Sequence, residues 1–472
     1  MAVSFRDPDG RVMTFDDRVI RVVREAAEAE LESFLSSPTA QRFVGEGRLV
    51  RTTRLGARRS CTAFNRRRET EAAADTDVFY EHERVSFPSF PYEWPPQMLY
   101  EAGALTLDLA ESALEDGYEL KDASAYNVLF RGTNPVFVDL LSFKRRGAGG
   151  ATWLAEAQFS RNFLLPLLAN KYFKLSLQQL FLARRDGVEP EEAYHWSGRA
   201  QRFREPFLTL ASIPTWLARG AGNGTIYNRP VLASDERARF ILRRLYKRLR
   251  RKLEAVRPAS AQNSSWSDYE SSCRDTAEEY LGAKLRFVAG VCDEFRPRAA
   301  LDVGCNKGFF TRAAAERGAS VVAIDRDPAV VGHVCLSAAA RKLNILPLVV
   351  DLTRPSSGTG WRNEENSSFL GRARGRFDAL FMLAVVHHML VSERIPPREI
   401  LTLAAELTTD LFVVEFVAPD DPMFQRIARG REHLYQGLTN EVFRSMCLER
   451  FVIVRSERLA GASRWIYLLR KK

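Results

Sequence analysis

A chain of 472 residues exceeds what one ordinary hydrophobic core organises, so two or three domains are expected. Hydrophobic residues at 46% and charged residues at 27% exclude a disordered or fibrous chain and fit a globular one. A formal charge of +10 and a pI near 9.4 point either to an anionic partner or to a solvated basic surface. Arginine far outnumbers lysine in an alanine- and leucine-rich chain, which is also the mark of a GC-rich coding bias.

No run of eighteen apolar residues occurs, so no membrane-spanning helix is expected. The opening "MAVSFRDPDGRVMTF" has neither the basic region nor the apolar stretch of an export signal. Cys61, Cys273, Cys292, Cys305, Cys335 and Cys447 are scattered and show no CxxC spacing. They fit reduced thiols better than a disulfide framework or a zinc site, and a cytoplasmic location is expected.

Three regions follow one another: 1–150, 151–258 and 267–472. In the first, "GRVMTFDDRVIRVV" reads as a β-hairpin turning at Asp16 and Asp17. "REAAEAELESFLSS" has helical composition and spacing. Arg51 to Thr76 is polar and arginine-rich, and reads as a loop or irregular insertion. A long helix, "PPQMLYEAGALTLDLAESALEDG", precedes "YELKDASAYNVLFRGTNPVFVDLLSF". There Asp122 and Asn127 are spaced D-x-x-x-x-N, with a strand, a turn at Gly132–Asn134 and a second strand ending at Asp139.

The middle region reads as helical and ends in "RFILRRLYKRLRRKLEAV". Leu242, Leu245, Tyr246, Leu249 and Leu253 recur at three- and four-residue spacing, and arginine and lysine fill the other face. This basic helix, 240–256, is either packed with a solvated face or placed for peripheral contact with anionic lipid. RNA is the other anionic surface the helix could meet, and the reading as an RNA or membrane-surface partner is ranked last, because no RNP or KH module accompanies the helix. "RPASAQNSSWSD" is then a linker. Trp266 near its end and Tyr269 just after it suit a lid over the neighbouring site or aromatic packing in the linker.

The last region alternates helix-length segments with "AALDVG", "SVVAID", "LPLVVDL", "FDALFML", "DLFVVEFV" and "FVIVRSERL", and closes on "RWIYLLRK". Six short β-rich runs with helices between most of them predict a doubly wound parallel sheet, and the closing run a seventh strand. In such a sheet a ligand sits where the first strand turns into the first helix. "LDVGCNKGFF" spells D-x-G-x-x-x-G at that turn, not the dinucleotide G-x-G-x-x-G. Gly304 and Gly308 bare the backbone, and Asn306 between them tolerates a left-handed conformation. Asp325 stands twenty-one residues after Gly304 at the end of the second strand, where a carboxylate accepts ribose hydroxyls. Asp351 closes the third strand. His387 and His388 follow strand four and Glu415 ends strand five, so these three are the candidate bases.

With these residues in order, 267–472 resembles the class I S-adenosylmethionine-dependent methyltransferases. "LDVGCNKGFF" is similar to their motif I, and "RFDALFMLAVVHHM", with Asp378, is similar to motif IV. The resemblance implies a seven-stranded Rossmann-like domain with S-adenosyl-L-methionine as cofactor. It implies that Asp302, Gly304, Cys305, Asn306 and Gly308 hold the methionine end, Asp325 the ribose and Asp351 the adenine, and Leu383 counts among the cofactor-binding residues. Asp122, Asn127 and Asp139 resemble the catalytic loop and metal-binding acid of protein-kinase-like folds. That implies an α+β kinase-like region over 1–150, with ATP and magnesium on Asn127 and Asp139 if the site is active. No glycine-rich phosphate loop is legible upstream of it. The whole chain resembles bacterial nodulation-type methyltransferases. The expected function is methyl transfer to a small-molecule or glycan-type acceptor that the first region shapes or presents. The alternative is a bifunctional kinase and methyltransferase.

Overall fold

The computed structural model describes residues 3–4, 6–15, 17–57, 76–220, 231–258 and 274–472. Cys61, Trp266, Tyr269 and Cys273 fall outside them, so the lid reading does too. The chain forms two compact units: Met1–Ala259 with Gly358–Ser367, and Ser260–Ser357 with Ser368–Lys472.

The first unit opens with β1 (Val3–Ser4), β2 (Gly10–Phe15), β3 (Arg18–Val23), α1 (Glu25–Leu35), α2 (Pro38–Gly45), β4 (Thr52–Ala57) and β5 (Val78–His82). Its antiparallel sheet has the order β1-β2-β3-β5-β4. The expected hairpin pairs Gly10 with Val23 and Phe15 with Arg18. Asp17 takes a φ of 63° in the turn, as tight hairpins require. The polar stretch from Arg51, read as a loop, begins instead with β4, whose Thr52 and Arg54 pair with His82 and Tyr80. This is an edge strand, where charged side chains guard the unpaired backbone and hide the apolar alternation. Arg54 is tied to Glu28 of α1 at 2.6 Å.

α3 (Pro96–Glu115) is buried at Met98, Leu99, Leu105, Leu107 and Leu109, so it is enclosed on several sides. β6 (Tyr118–Leu120) pairs with β9 (Phe143–Arg145), and β7 (Val128–Arg131) with β8 (Asn134–Phe137). Next, α4 (Glu156–Phe159) runs through a π turn at Ser160–Leu164 into α5 (Leu165–Phe173). α6 (Leu177–Ala183), α7 (Pro190–Trp196), α8 (Ile213–Gly220) and α9 (Asp235–Ala255) complete the helical segment. No unit boundary falls at residue 150: Gly150 bridges to Val231, and α9 packs its leucine face on α3. Gly358–Ser367 is held in this unit by Glu365, paired to Arg6 at 2.7 Å and Arg185 at 3.0 Å.

The second unit begins with α10 (Arg274–Phe295) and then alternates. β10 (Ala299–Val303), α11 (Phe309–Ala315), β11 (Ser320–Asp325), α12 (Pro328–Arg341) and β12 (Ile345–Val349) form one half. α13 (Phe369–Ala373), β13 (Phe377–Met382), α14 (Val386–Val391), α15 (Pro397–Leu407) and β14 (Thr408–Val417) form the other. α16 (Pro422–Ala428), α17 (Asn440–Cys447), β15 (Phe451–Arg458) and β16 (Arg464–Lys471) close the chain. The sheet order is β12-β11-β10-β13-β14-β16-β15. β10 to β14 run parallel and are nearly continuous apolar runs because helices cover both faces. The expected all-parallel sheet is in fact mixed, since β16 lies antiparallel to both β14 and β15. Only Leu459–Ser463 joins β15 to β16, enough for a hairpin and too little for a parallel crossover. The strand order reverses between β10 and β13, which places the β10–α11 turn at the switch point.

Candidate active site

Two features bend the β10–α11 turn into a cradle. Gly304 and Cys305 both donate backbone N–H groups to the Ile324 carbonyl on β11, at 2.8 and 3.0 Å. Gly304 has a φ of +69°, and a Cβ there would stand 2.4 Å from Val385 Cγ2. Only glycine meets both demands. Asn306 takes a φ of 45°. Gly308, at +73°, turns the chain into α11.

The acids are set by local hydrogen bonds. Asp325 accepts from Asn306 N at 3.2 Å on one oxygen and from Asp327 N at 3.0 Å on the other. Each oxygen keeps a lone pair for a further donor, such as a ribose hydroxyl. Burial raises the Asp325 pKa, against those two hydrogen bonds. Asp351 is oriented by Thr353, whose N–H and hydroxyl donate at 2.9 and 2.6 Å. Asp302 is wholly enclosed and accepts from the Thr311 hydroxyl on α11. Burial pushes it up to about 7.

A cavity of about 260 Å³ opens at this turn. Of the expected residues it is lined by Gly304, Cys305, Asn306, Asp325, Asp351, Leu383 and His388. Asp302 and Gly308 are not on its wall; they brace the loop from behind, through Thr311 and the start of α11. A bare backbone, an acid after the second strand and another after the third suit S-adenosyl-L-methionine, and a side chain at 304 would fill the cradle.

The candidate bases separate. His388 lines the cavity, whereas its neighbour His387 is 3% exposed, does not line it and has an Nδ1 without a hydrogen-bond partner. Burial, then the neighbouring His388, lowers His387 to about 3, and burial, then Arg326 and Arg464, lowers His388 to about 4. Glu415 is not at an open mouth and is not available as a base. It is fully buried, paired with Lys284 at 2.9 Å and Arg464 at 3.3 Å, and accepts from the Tyr280 hydroxyl. Burial would raise its pKa, but Lys284 and Arg464 hold it down to about 2. Arg464 is fixed in turn by Asp421 at 2.7 Å.

Lys284 also lines the cavity and was missed in the sequence, as were Tyr280, Arg464 and Asp421. A signal was present: Tyr280, Lys284, Phe287, Val288 and Val291 share one helical face, and a lysine on an apolar face needs a buried partner.

In the first unit, Asp122 accepts from Ser124 N at 2.9 Å and Gln158 Nε2 at 2.8 Å. Burial raises its pKa. Asn127 donates to Ser142 Oγ at 3.5 Å, and the Ser142 hydroxyl donates to Asp139. The other Asp139 oxygen pairs with Arg21 at 2.8 Å, and Arg21 is itself buried on β3 and donates to His82 at 2.9 Å. A fixed guanidinium thus answers the charge a magnesium ion would need. Among the described residues no three His, Cys, Asp or Glu side chains gather into a metal-holding set. Asn127 and Asp139 thus lie on one hydrogen-bonded chain through Ser142, with Asp139 held by Arg21.

Residues 301–402 match the family model described as "Methyltransferase domain". A curated relative, "Nodulation protein NoeA" of Rhizobium meliloti (strain 1021), is 28% identical over 472 residues, spanning 99% of this chain and 95% of the relative. Among solved structures, N-methyltransferase NodS from Bradyrhizobium japonicum WM9 is 16% identical, covering 42% of this chain and 98% of that one, with a TM-score of 0.31. Magnesium protoporphyrin IX methyltransferase (ChlM) from Synechocystis PCC 6803 is 17% identical, covering 44% and 92%, also with a TM-score of 0.31.

Proposed function

From an enzyme whose second unit is a methyltransferase domain, we propose S-adenosyl-L-methionine-dependent methyl transfer to a small-molecule or glycan-type acceptor. The single observation that carries the cofactor is the cavity in which the Gly304–Asn306 backbone, Asp325 and Asp351 converge. When bound, the cofactor supplies a methyl group on a cationic sulfur. The chain's residues then have distinct tasks. Asp325 accepts the ribose hydroxyls, Asp351 and Leu383 flank the base, and the bare loop admits the methionine end. Phe309 and Phe310 line the same wall and exclude water. Holding the acceptor atom near the sulfur supplies most of the rate. His388, the one candidate base on the wall, is neutral and accepts the acceptor's proton. The first unit, in which Asp122, Asn127 and Asp139 keep the order of kinase-like loops, presents the acceptor. The span of the nodulation relative over both units supports treating them as one working enzyme.

The test is calorimetric titration with S-adenosylhomocysteine, followed by transfer of labelled methyl groups to amino- and hydroxyl-bearing saccharides. Binding that is abolished by Asp325→Ala is expected. Unchanged binding by that variant would remove the cofactor assignment.

A further inference from the structure

The basic helix α9 is two-sided in its charges. Arg239, Arg243 and Arg250 turn along the flank toward acids: Arg239 to Asp235 at 2.9 Å, Arg243 to Glu115 at 2.8 Å, and Arg250 to Asp108 at 2.8 Å. Arg248 reaches Glu156 at 3.3 Å. These cations are already answered. Arg237, Arg244, Lys247 and Arg251 are exposed and meet no acidic side chain among the described residues. They lie at i, i+7, i+10 and i+14, one stripe opposite the face that Leu242, Leu245, Leu249 and Leu253 bury.

Between them stand two exposed apolar side chains: Phe240 is 54% and Ile241 42% exposed. The Arg244 guanidinium lies over the Phe240 ring at 5.0 Å. The stripe is about 21 Å long at 1.5 Å per residue.

We propose that this crest of α9 docks on an anionic lipid surface, with Phe240 and Ile241 entering the headgroup layer and Arg237, Arg244, Lys247 and Arg251 answering the lipid charge. Charge complementarity selects the occupant, and the apolar pair selects lipid over nucleic acid. An isoleucine has no face on which a base stacks, and the phenylalanine ring is already covered by a guanidinium. No helix among the described residues is long and apolar enough to cross a membrane, and the apolar face of α9 is spent on α3, so contact is confined to the crest.

Each surface cation adds about 1 kcal/mol on an anionic leaflet, or about fivefold in partitioning. In sedimentation with phosphatidylglycerol–phosphatidylcholine vesicles, Lys247→Ala with Arg251→Ala is expected to weaken partitioning about 25-fold. Phe240→Ser with Ile241→Ser weakens it further at equal charge. Raising salt from about 0.05 to about 0.3 M releases the wild type. All four residues are solvent-exposed, and unchanged thermal unfolding of the variants confirms that the fold is kept. Equal partitioning onto neutral phosphatidylcholine, or no loss in the cation variant, overturns the proposal. So does single-stranded RNA that binds through the same cations while vesicles do not.

Discussion

Replacing Gly304 by alanine separates two demands that the site makes on one position. The first is conformational: a φ of +69° places an L-residue in the left-handed region, at about 1–2 kcal/mol. The second is steric, because the new Cβ would sit 2.4 Å from Val385 Cγ2 while Val385 Cβ and Cγ1 lie at 3.8 and 3.9 Å. One methyl group is therefore responsible for the overlap, which costs roughly 1–3 kcal/mol in a packed site. Gly304→Ala is expected to destabilise the second unit by about 2–5 kcal/mol, the sum of the two terms. In a Val385→Ala background the overlap is gone and about 1–2 kcal/mol of backbone strain remains. The four proteins of this cycle are compared by urea unfolding, reading the transition that S-adenosylhomocysteine shifts, since that is the transition of the binding unit. A loss from Gly304→Ala that is the same in both backgrounds would refute the claim that Val385 approaches the loop closely enough to demand glycine.

Three further outcomes are expected. Asp302, raised to about 7 by burial, keeps its proton in the folded state below that pH, so its contribution is full below about pH 4 and is lost as pH rises through 7. Asp302→Asn should therefore gain on the wild type between those values in pH-dependent unfolding; an unchanged difference would contradict the burial argument. With His387 and His388 lowered to about 3 and 4, neither titrates between pH 5 and 8. Their folded-state contribution is present above pH 6.5 and lost as pH falls through those lowered values, and kcat should show no inflection from them at neutral pH. His388→Ala should lower kcat about 100-fold with S-adenosylhomocysteine affinity kept, whereas an equal loss from His387→Ala alone would move the base to the wrong residue.

The parts of the fold that could be read in the sequence are those where backbone chemistry and burial agree. β10 to β13 are short apolar runs because both sheet faces are covered, and Gly304, Asp325 and Asp351 follow strand ends where a doubly wound sheet exposes them. Strand direction at the end of the sheet was not legible, because an apolar run does not encode polarity; the short Leu459–Ser463 connection does, and only once β15 and β16 are known to pair. β4 was hidden by its own edge position, where polar residues replace the alternation. Which of two adjacent histidines faces the cavity was equally hidden, since neighbours on a helix point about 100° apart and the rotation of α14 is set by its packing on β14.

Glu415 shows how a position can be right while the role is wrong. It stands near the end of a central strand, where catalytic acids collect, yet it does not itself line the cavity. Lys284 lines that wall from α10, a helix that precedes the sheet and joins none of its strands, and the Lys284 ammonium reaches back 2.9 Å to Glu415. Tyr280 one turn earlier and Arg464 on the antiparallel strand close the same network. The carboxylate thus fixes α10 against β14 and β16 and, through Lys284, fixes one side of the cavity. Glu415→Gln would leave the buried Lys284 ammonium without its counter-charge, while Arg464 keeps Asp421, so a loss of roughly 3–5 kcal/mol is expected in urea unfolding. Because the carboxylate acts by placing Lys284, the same variant should weaken S-adenosylhomocysteine binding under conditions where it remains folded. Full affinity with lowered stability would confine Glu415 to the fold, and full stability would mean that the network is not buried as the structure has it.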